Sequence, residues 1–222
     1  MAFPQDALGR YVVFPFSQGQ SYTPSPQELS HNGLLQKCND ITAQVFTYGP
    51  TSPHPGAPSQ FHRTTRVWTF RWLEYVPGAT TTCKLQAPGP VMTGPMSGCM
   101  LATYTDGGPR VAHVGTGDPG SKLTNDAKAA WTNYLANSRT NQTTARGGYP
   151  NRVIGDHEVE REYKPGLYPL RCGYFESVTN AWAIMFVPVP ESMRPPVPKQ
   201  TFLVRTITPM PMSPWPQLRS AF

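Results

Sequence analysis

Apolar and polar residues alternate over short stretches of this 222-residue chain, which predicts a fold built mainly from β-strands. The clearest strand covers residues 66–76, where aromatic and β-branched side chains are frequent. Pro77 and Gly78 should turn the chain, so residues 80–85 are predicted to be the hairpin partner of that strand. Further strands are predicted over residues 10–16, 99–105, 110–114, 152–159, 166–176, 181–189 and 201–207.

One segment has the period of a helix instead. Apolar residues recur three, four and seven positions apart over residues 122–137, which predicts a helix with Ser121 or Thr124 as its N-cap. Ser25 has the features of another N-cap and predicts a shorter helix over residues 25–35. Loops are predicted over residues 86–98 and 138–150.

The composition indicates that irregular segments join these elements. The chain has 26 prolines and only 14% charged residues, which disfavours long helices. We therefore expect an α+β, β-rich fold: a mixed or antiparallel sandwich flanked by one main helix and long proline-rich loops. The length suits a single domain over residues 1–222, in which residues 1–10 form an N-terminal arm and residues 208–222 a proline-rich tail along the surface.

The charge pattern bears on the partners. The net charge is +6, but the basic residues are dispersed and form no run with interleaved aromatic residues, so nucleic acid is not an expected partner. No apolar segment approaches the length of a membrane span, so a membrane partner is not expected either. The N-terminus lacks the basic and apolar regions of a secretory leader, so any export is expected to use another route.

The four cysteines stand far apart, at positions 38, 83, 99 and 172. Since none of them forms a closely spaced pair, a structural zinc site is not expected. A disulfide framework is not expected in a chain of this size with so few cysteines, and free thiols are the working hypothesis. His157, in a charged segment, is interpreted as a solvated residue rather than as a metal ligand or a second base.

The candidate chemistry lies around Cys99, which ends a segment of small residues that begins at Thr93. His113 stands fourteen positions later, beyond a predicted turn at residues 106–108, so a hairpin would bring the thiol and the imidazole side by side. A thiol beside an imidazole is the minimal arrangement for nucleophilic catalysis. Gly98 leaves room for a substrate, and the nearby backbone amides are expected to bind an oxyanion. Because buried cysteines often only fill space, the residues alone leave catalysis and packing both open.

This segment resembles the active site of a known family. Thr-Gly-Pro-Met-Ser-Gly-Cys at residues 93–99, followed by His113, is similar to the active-site segment of the cytotoxic necrotizing factor family of protein glutamine deamidases. The similarity is greatest to the small, single-domain lethal-factor type. It covers residues 93–117 and departs from the family at Met96, where the family has leucine. The resemblance implies a β-sandwich flanked by helices.

The resemblance also implies roles for five residues. Cys99 is the implied nucleophile and His113 the implied base, while Thr93 orients the histidine through its main-chain carbonyl. Ser97 and Gly98 line the place where the substrate and the oxyanion bind. The implied reaction converts a glutamine of a target protein to glutamate through a thioester, without a metal or an organic cofactor.

The implied biological role is that of a bacterial effector acting on a host protein in the host cytoplasm. Relatives of the fold that the resemblance implies deamidate Rho-type GTPases, a translation-initiation helicase or bacterial chemoreceptors, and the sequence does not select among such targets. Two other classes of function stay open. One is another thiol enzyme, such as a transglutaminase or a protease, and the other is a non-enzymatic β-sandwich protein that binds a partner through its proline-rich arms.

Overall fold

A computed structural model describes residues 4–14, 34–49, 60–85, 89–189 and 201–218 of the chain. Within these residues the structure has both helices and two β-sheets, which confirms the predicted α+β, β-rich class. No helix in the described ranges is long and apolar enough to cross a membrane.

The first sheet closes into a barrel. Its seven strands within the described residues are, in order around the barrel, β1 (Tyr11–Val13), β12 (Thr201–Pro209), β11 (Ala181–Pro188), β10 (Leu170–Phe175), β6 (Val91–Gly94), β4 (Gln60–Glu74) and β3 (Cys38–Gly49). Neighbouring strands are antiparallel except β4 and β6, which are parallel. Aromatic and aliphatic side chains fill the interior, among them Phe14, Phe70 and Phe186.

The second sheet is open. Its six strands within the described part of the chain are, in spatial order, β13 (Ser213–Pro214), β9 (Arg146–Gly148), β7 (Met100–Thr105), β8 (Pro109–Val114), β5 (Thr80–Lys84) and β2 (Leu35–Gln36). The central hairpin of β7 and β8 turns at residues 106–108, where Gly107 and Gly108 both have positive φ. Glycine adopts these φ values without a steric penalty, so the predicted turn forms where the sequence places it.

Among the described residues, three helices cover one face of this second sheet: α1 (Lys122–Ala136), α2 (Arg139–Thr144) and α5 (Trp215–Leu218). Two shorter helices, α3 (Pro150–Val153) and α4 (Asp156–Glu162), lie instead against strands β10 and β11 of the barrel. Alternate residues of a strand point to opposite faces, so Met100, Ala102 and Tyr104 of β7 pack against Trp131 of α1. Helix α1 begins and ends close to the predicted bounds, and Ser121 is its N-cap, accepting a hydrogen bond from the Thr124 amide at 3.2 Å.

The other face of the second sheet packs against the barrel. Leu101 of β7 and Val111 of β8 join a cluster with Leu73, Val91 and Phe175 of the barrel strands. Because both faces of β7 are covered, its first five residues are all buried, and the strand is a continuous run of buried side chains. The barrel, the second sheet and helices α1, α2 and α5 therefore form three successive layers.

Several predicted elements are wrong. Residues 80–85 do form a strand, but β5 pairs with β8 and β2 of the second sheet rather than with β4, because the chain crosses between the sheets after Gly78. The loop predicted over residues 86–98 contains β6, and the loop predicted over 138–150 contains α2 and β9. The strand predicted over residues 152–159 is helical instead. Gly155 caps α4, and acidic residues occupy its first turn, where the helix dipole favours negative charge.

The two chain ends also differ from prediction. Ala7, within the predicted N-terminal arm, is buried in the barrel core. In the predicted surface tail, Trp215 and Leu218 are buried, and the Trp215 ring contacts that of Trp131 with centroids 6.0 Å apart. The helix predicted over residues 25–35 lies mostly outside the described residues, and Leu35 belongs to β2.

Candidate active site

The hairpin of β7 and β8 brings Cys99 and His113 to the same face of the second sheet. Leu101 pairs with His113 across the hairpin, and Met100 pairs with Val114. Leu101 and His113 lie on the face of the sheet that packs against the barrel. Cys99 directly precedes β7 and is buried in the same cluster as Leu101 and Val111 of that face.

His113 is completely buried and is held by one hydrogen bond. The Oγ1 atom of Thr93 lies 2.7 Å from His113 Nδ1. Thr93 belongs to β6 of the barrel, so this hydrogen bond joins the two sheets. The resemblance implied that Thr93 acts through its main-chain carbonyl, whereas in the structure the contact is made by the side-chain hydroxyl.

The other ring nitrogen of His113 is unpaired. Nε2 is buried and has no hydrogen-bond partner among the described residues, while the Tyr75 ring lies against the imidazole with centroids 5.2 Å apart. Burial lowers the pKa of His113 to about 3, so the ring is neutral at neutral pH. A buried polar atom without a partner costs about 1–3 kcal/mol, and a catalytic role is one of the explanations for such an atom in a native protein.

The Cys99 thiol is also buried, with 2% of the residue exposed. It donates a hydrogen bond to the Thr116 carbonyl oxygen at 3.4 Å, so the thiol and the imidazole are not hydrogen-bonded to each other in this structure. Burial raises the pKa of the Cys99 thiol, and the nearby polar groups of Thr116, Gly98 and the Cys99 backbone oppose that rise. The resting site therefore pairs a neutral thiol with a neutral imidazole.

Ser97 and Gly98 form the exposed edge of the site. Both residues are exposed, whereas Met96 and Cys99 on either side of them are buried. A Cβ atom added to Gly98 would have nothing within 4 Å, so open space adjoins the residue directly before the thiol. Gly98 therefore borders open space, while the Cys99 thiol is buried.

Two neighbours of the site were missed by the sequence reasoning. Thr116 accepts the thiol hydrogen bond, and its carbonyl also accepts one from the Tyr75 hydroxyl at 3.3 Å. Tyr75 follows β4, and its ring packs on His113. The sequence holds no local signal for Tyr75, because the contact depends on the crossing of the chain from the barrel to the second sheet.

The remaining candidates lie elsewhere. His157 is exposed on α4, as interpreted from the sequence. Cys172 is buried in the barrel. Cys38 and Cys83, interpreted as separate core or incidental thiols, are hydrogen-bonded to each other, and this bond lowers the pKa of Cys38. All four cysteines are free thiols. The described residues contain no group of three or more histidine, cysteine or acidic side chains able to hold a metal ion.

Comparison of the chain with models of known protein families, with curated proteins and with solved structures finds no match.

Proposed function

We propose that the protein is a cysteine-dependent protein glutamine deamidase, with Cys99 as nucleophile and His113 as base. One observation carries the proposal. A fully buried histidine has one ring nitrogen held by Thr93 and the other without a partner among the described residues, on the sheet face against which the cysteine is also buried. This is the arrangement that a base needs when its orientation is fixed on one side and a proton arrives on the other.

The proposed chemistry begins with a proton transfer. Nδ1 of His113 carries a proton and donates it in the hydrogen bond to Thr93 Oγ1, which leaves the lone pair of Nε2 free. The Cys99 thiol exchanges its hydrogen bond to Thr116 for one to Nε2 and gives up its proton as sulfur attacks the carboxamide carbon of a glutamine. The amides of Gly98 and Cys99, which lie beside the thiol, donate to the oxyanion that forms.

Two further proton-transfer steps, both at Nε2 of His113, complete the reaction. The C–N bond breaks as Nε2 returns its proton to nitrogen, which releases ammonia and leaves a thioester on Cys99. Nε2 then takes a proton from water, the hydroxide attacks the thioester carbon, and the thiolate leaves and recovers that proton. One water is consumed and one ammonia is released, while glutamine becomes glutamate. The target gains one negative charge at the modified site.

The neutral resting state leaves Nε2 free to accept a proton, while the low pKa also makes His113 a weak base toward the thiol. Since His113 is neutral at neutral pH, Nε2 is available as an acceptor before the substrate arrives. The substrate glutamine is proposed to enter past Ser97 and Gly98, where the site is open. From the resemblance of residues 93–117 to the cytotoxic necrotizing factor family, we also propose that the protein is a bacterial effector whose substrate is a host protein in the host cytoplasm.

The experiment measures ammonia release and peptide mass on purified candidate targets. A Rho-type GTPase, a translation-initiation helicase and a bacterial chemoreceptor are each incubated with the protein, and their peptides are mapped for a gain of about one mass unit at glutamine. We expect Cys99→Ser to abolish both signals. Cys38→Ser is the matched control, since it removes a half-buried thiol away from the site and should keep them.

Three outcomes of this experiment distinguish a deamidase from the alternative functions. Retained ammonia release by folded Cys99→Ser protein contradicts the proposal. Release of ammonia with an added amine attached to the glutamine identifies a transglutaminase. New peptide termini without ammonia identify a protease.

A second candidate function rests on a different observation. Cys99 is 2% exposed and its thiol already has a hydrogen-bond acceptor in Thr116, as a cysteine that only packs in a core would. This arrangement favours a non-enzymatic binding protein. Iodoacetamide labelling at neutral pH separates the two, with Cys172 as the reference, since it is equally buried and its surroundings supply no base. A deamidase requires faster labelling at Cys99 than at Cys172, and equal resistance of both thiols until denaturation supports the binding protein.

A further inference from the structure

Arg171 of β10 is a buried charged residue beside the candidate site. Only 6% of it is exposed, and its guanidinium donates to three backbone carbonyls. Nε donates to the Met96 oxygen at 3.2 Å, one terminal nitrogen to the Ser97 oxygen at 3.3 Å, and the other to the Ile154 oxygen at 3.0 Å. Its own carbonyl accepts a hydrogen bond from the Met96 amide at 2.9 Å.

The charge of Arg171 is balanced at the surface. The same terminal nitrogen that donates to Ile154 lies 2.8 Å from Asp156 Oδ1, and the Asp156 side chain is 75% exposed. The neighbouring residues of β10 explain the direction of the side chain. Cys172 and Tyr174 fill the barrel interior, so Arg171 and Gly173 point outward, toward the second sheet and the segment that leads to Cys99.

Two of the three carbonyls belong to the segment that delivers the nucleophile. In a planar trans peptide the C=O of one residue and the N–H of the next point in opposite directions. Since the Ser97 carbonyl is held on the Arg171 side, the Gly98 amide must point away from it. That amide directly precedes Cys99 and lies near enough to its thiol to oppose the rise in pKa that burial causes.

We propose that Arg171 is a positioning residue that fixes the Met96 and Ser97 carbonyls and thereby turns the Gly98 amide toward the Cys99 thiol. Arginine suits this role because its planar fork reaches several acceptors at once, whereas lysine offers a single point of donation. The inference deepens the proposed function, since an amide held at the thiol is also placed to receive the oxyanion of the reaction.

The test measures thiol chemistry at Cys99 directly. Iodoacetamide labelling at Cys99 is followed by peptide mapping across the pH range in the full-length protein, with Arg171→Lys and Arg171→Met as variants. Loss of the aligned amide weakens stabilisation of the thiolate, so we expect the labelling midpoint to move to higher pH and the rate at neutral pH to fall about tenfold. Arg205→Met is the matched control, because it removes an exposed arginine whose Nε lies 2.8 Å from Glu162.

Activity gives a second readout on the same variants. If a target of deamidation is in hand, we expect kcat to fall about 100-fold in Arg171→Met with little change in KM, as for loss of one oxyanion donor. The lysine variant retains the ion pair with Asp156 and one donated hydrogen bond, so it keeps the fold and shows a smaller shift in the same direction. Near-UV circular dichroism checks that each variant compared is folded.

The outcomes distinguish this inference from the proposed function. A folded Arg171 variant whose Cys99 labelling profile matches that of the parent overturns the positioning role, even where the parent is an active deamidase. A shifted profile without deamidation of any target supports the positioning role and counts against the function. Cys99 that resists labelling in the parent protein until denaturation overturns both.

Discussion

His113 depends on a single side chain for its orientation. The hydroxyl of Thr93 lies 2.7 Å from Nδ1, and the rest of the ring is enclosed by apolar atoms and the Tyr75 ring. Valine has nearly the shape of threonine but cannot accept or donate a hydrogen bond. Replacing Thr93 by valine therefore measures the role of this one hydrogen bond with almost no change in packed volume.

We expect Thr93→Val to leave Nδ1 without a partner, which costs about 1–3 kcal/mol of unfolding free energy. The imidazole loses its fixed tautomer, so deamidation and Cys99 labelling should fall about 100-fold, at the lower end of what a positioned general base contributes. Kinetics and chemical denaturation measure the two effects. Thr93→Ser keeps the hydroxyl and should retain most activity.

Thr103→Val is the matched control for this prediction. Thr103 is buried and its hydroxyl donates to the Val178 carbonyl at 3.0 Å, but it lies away from the histidine. It should reduce stability without reducing the labelling of Cys99. Equal activity of the Thr93→Val and Thr103→Val proteins would contradict the orienting role of Thr93.

At this scale the sequence predicted the residues of the site better than their contacts. The spacing of Cys99 and His113 about a glycine turn predicted their shared hairpin because strand pairing is local there. The contact of Thr93 with the histidine depends on how two sheets pack, and the resemblance supplied the residue but the wrong atom. Tyr75, Thr116 and Arg171 leave no local pattern, since each meets the site through a contact distant in sequence.

Strand β10 lies close against β7 because of one glycine. Gly173 pairs with Thr93 in the barrel, and Leu101 pairs with His113 in the second sheet. A Cβ atom at Gly173 would lie 1.9 Å from Leu101 Cδ1, so no larger residue fits while Leu101 keeps its position. The absence of a side chain at Gly173 therefore lets Leu101 of β7 lie directly against β10, and each of these strands pairs with a strand that carries Thr93 or His113.

We expect Gly173→Ala to force these strands apart and to stretch the hydrogen bond between Thr93 and His113. The overpacking should cost about 1–3 kcal/mol of unfolding free energy, and Cys99 labelling should slow. Adding Leu101→Ala makes room for the new methyl group, so the double variant should be more stable than the sum of the single changes predicts, by about 1 kcal/mol or more.

Gly117→Ala is the control for the overpacking expected at Gly173. A Cβ atom there would meet Ser121 Oγ at 3.5 Å, which is ordinary contact, so stability and labelling should change little. Strict additivity of the Gly173 and Leu101 changes would show that the two side chains do not compete for the same space. Denaturant unfolding of the four proteins of the cycle measures this.

Local patterns predicted elements well where a single physical cause dominates. Helix α1 has a continuous apolar stripe and a serine cap, and it forms as predicted. Residues 152–159 mix apolar and charged positions and were assigned to a strand, but the glycine cap and acidic first turn favour the helix α4. The partner of β5 could not be predicted from Pro77 and Gly78, because a turn signal does not specify which sheet receives the next strand.

The whole molecule places the candidate site between its layers. Thr93 comes from the barrel, while Cys99 and His113 come from the second sheet, so the site exists only when the two sheets are packed. His113 thereby becomes part of the core of the entire fold. Its protonation is linked to global unfolding, because the charged imidazole is stable only in the solvated, unfolded chain.

We expect His113 to make stability depend on pH between about 6.5 and about 3. Its pKa falls from 6.5 to about 3 in the folded protein, so within this window the unfolded chain binds a proton that the folded chain does not. The unfolding free energy should therefore decrease as the pH falls, by an amount on the order of 4 kcal/mol across the window. Above the window His113 adds no pH dependence.

Denaturant unfolding at a series of pH values checks this prediction against His113→Gln. In the variant, the unfolding free energy should lose the part of its pH dependence that comes from His113, while the part that comes from the carboxylates remains. His157→Gln, which changes an exposed histidine on α4, should keep the slope of the parent protein. Parallel stability curves for the parent and His113→Gln proteins would contradict the linkage.

The Cys38–Cys83 hydrogen bond has a practical consequence for inhibitor discovery. It makes the half-exposed Cys38 more acidic, whereas burial makes Cys99 less acidic. An electrophile library scored by the total loss of free sulfhydryl would therefore rank compounds by their reaction at Cys38. Quantifying both modified peptides from one digest turns Cys38 into an internal standard, so that selectivity for Cys99 is read as a ratio.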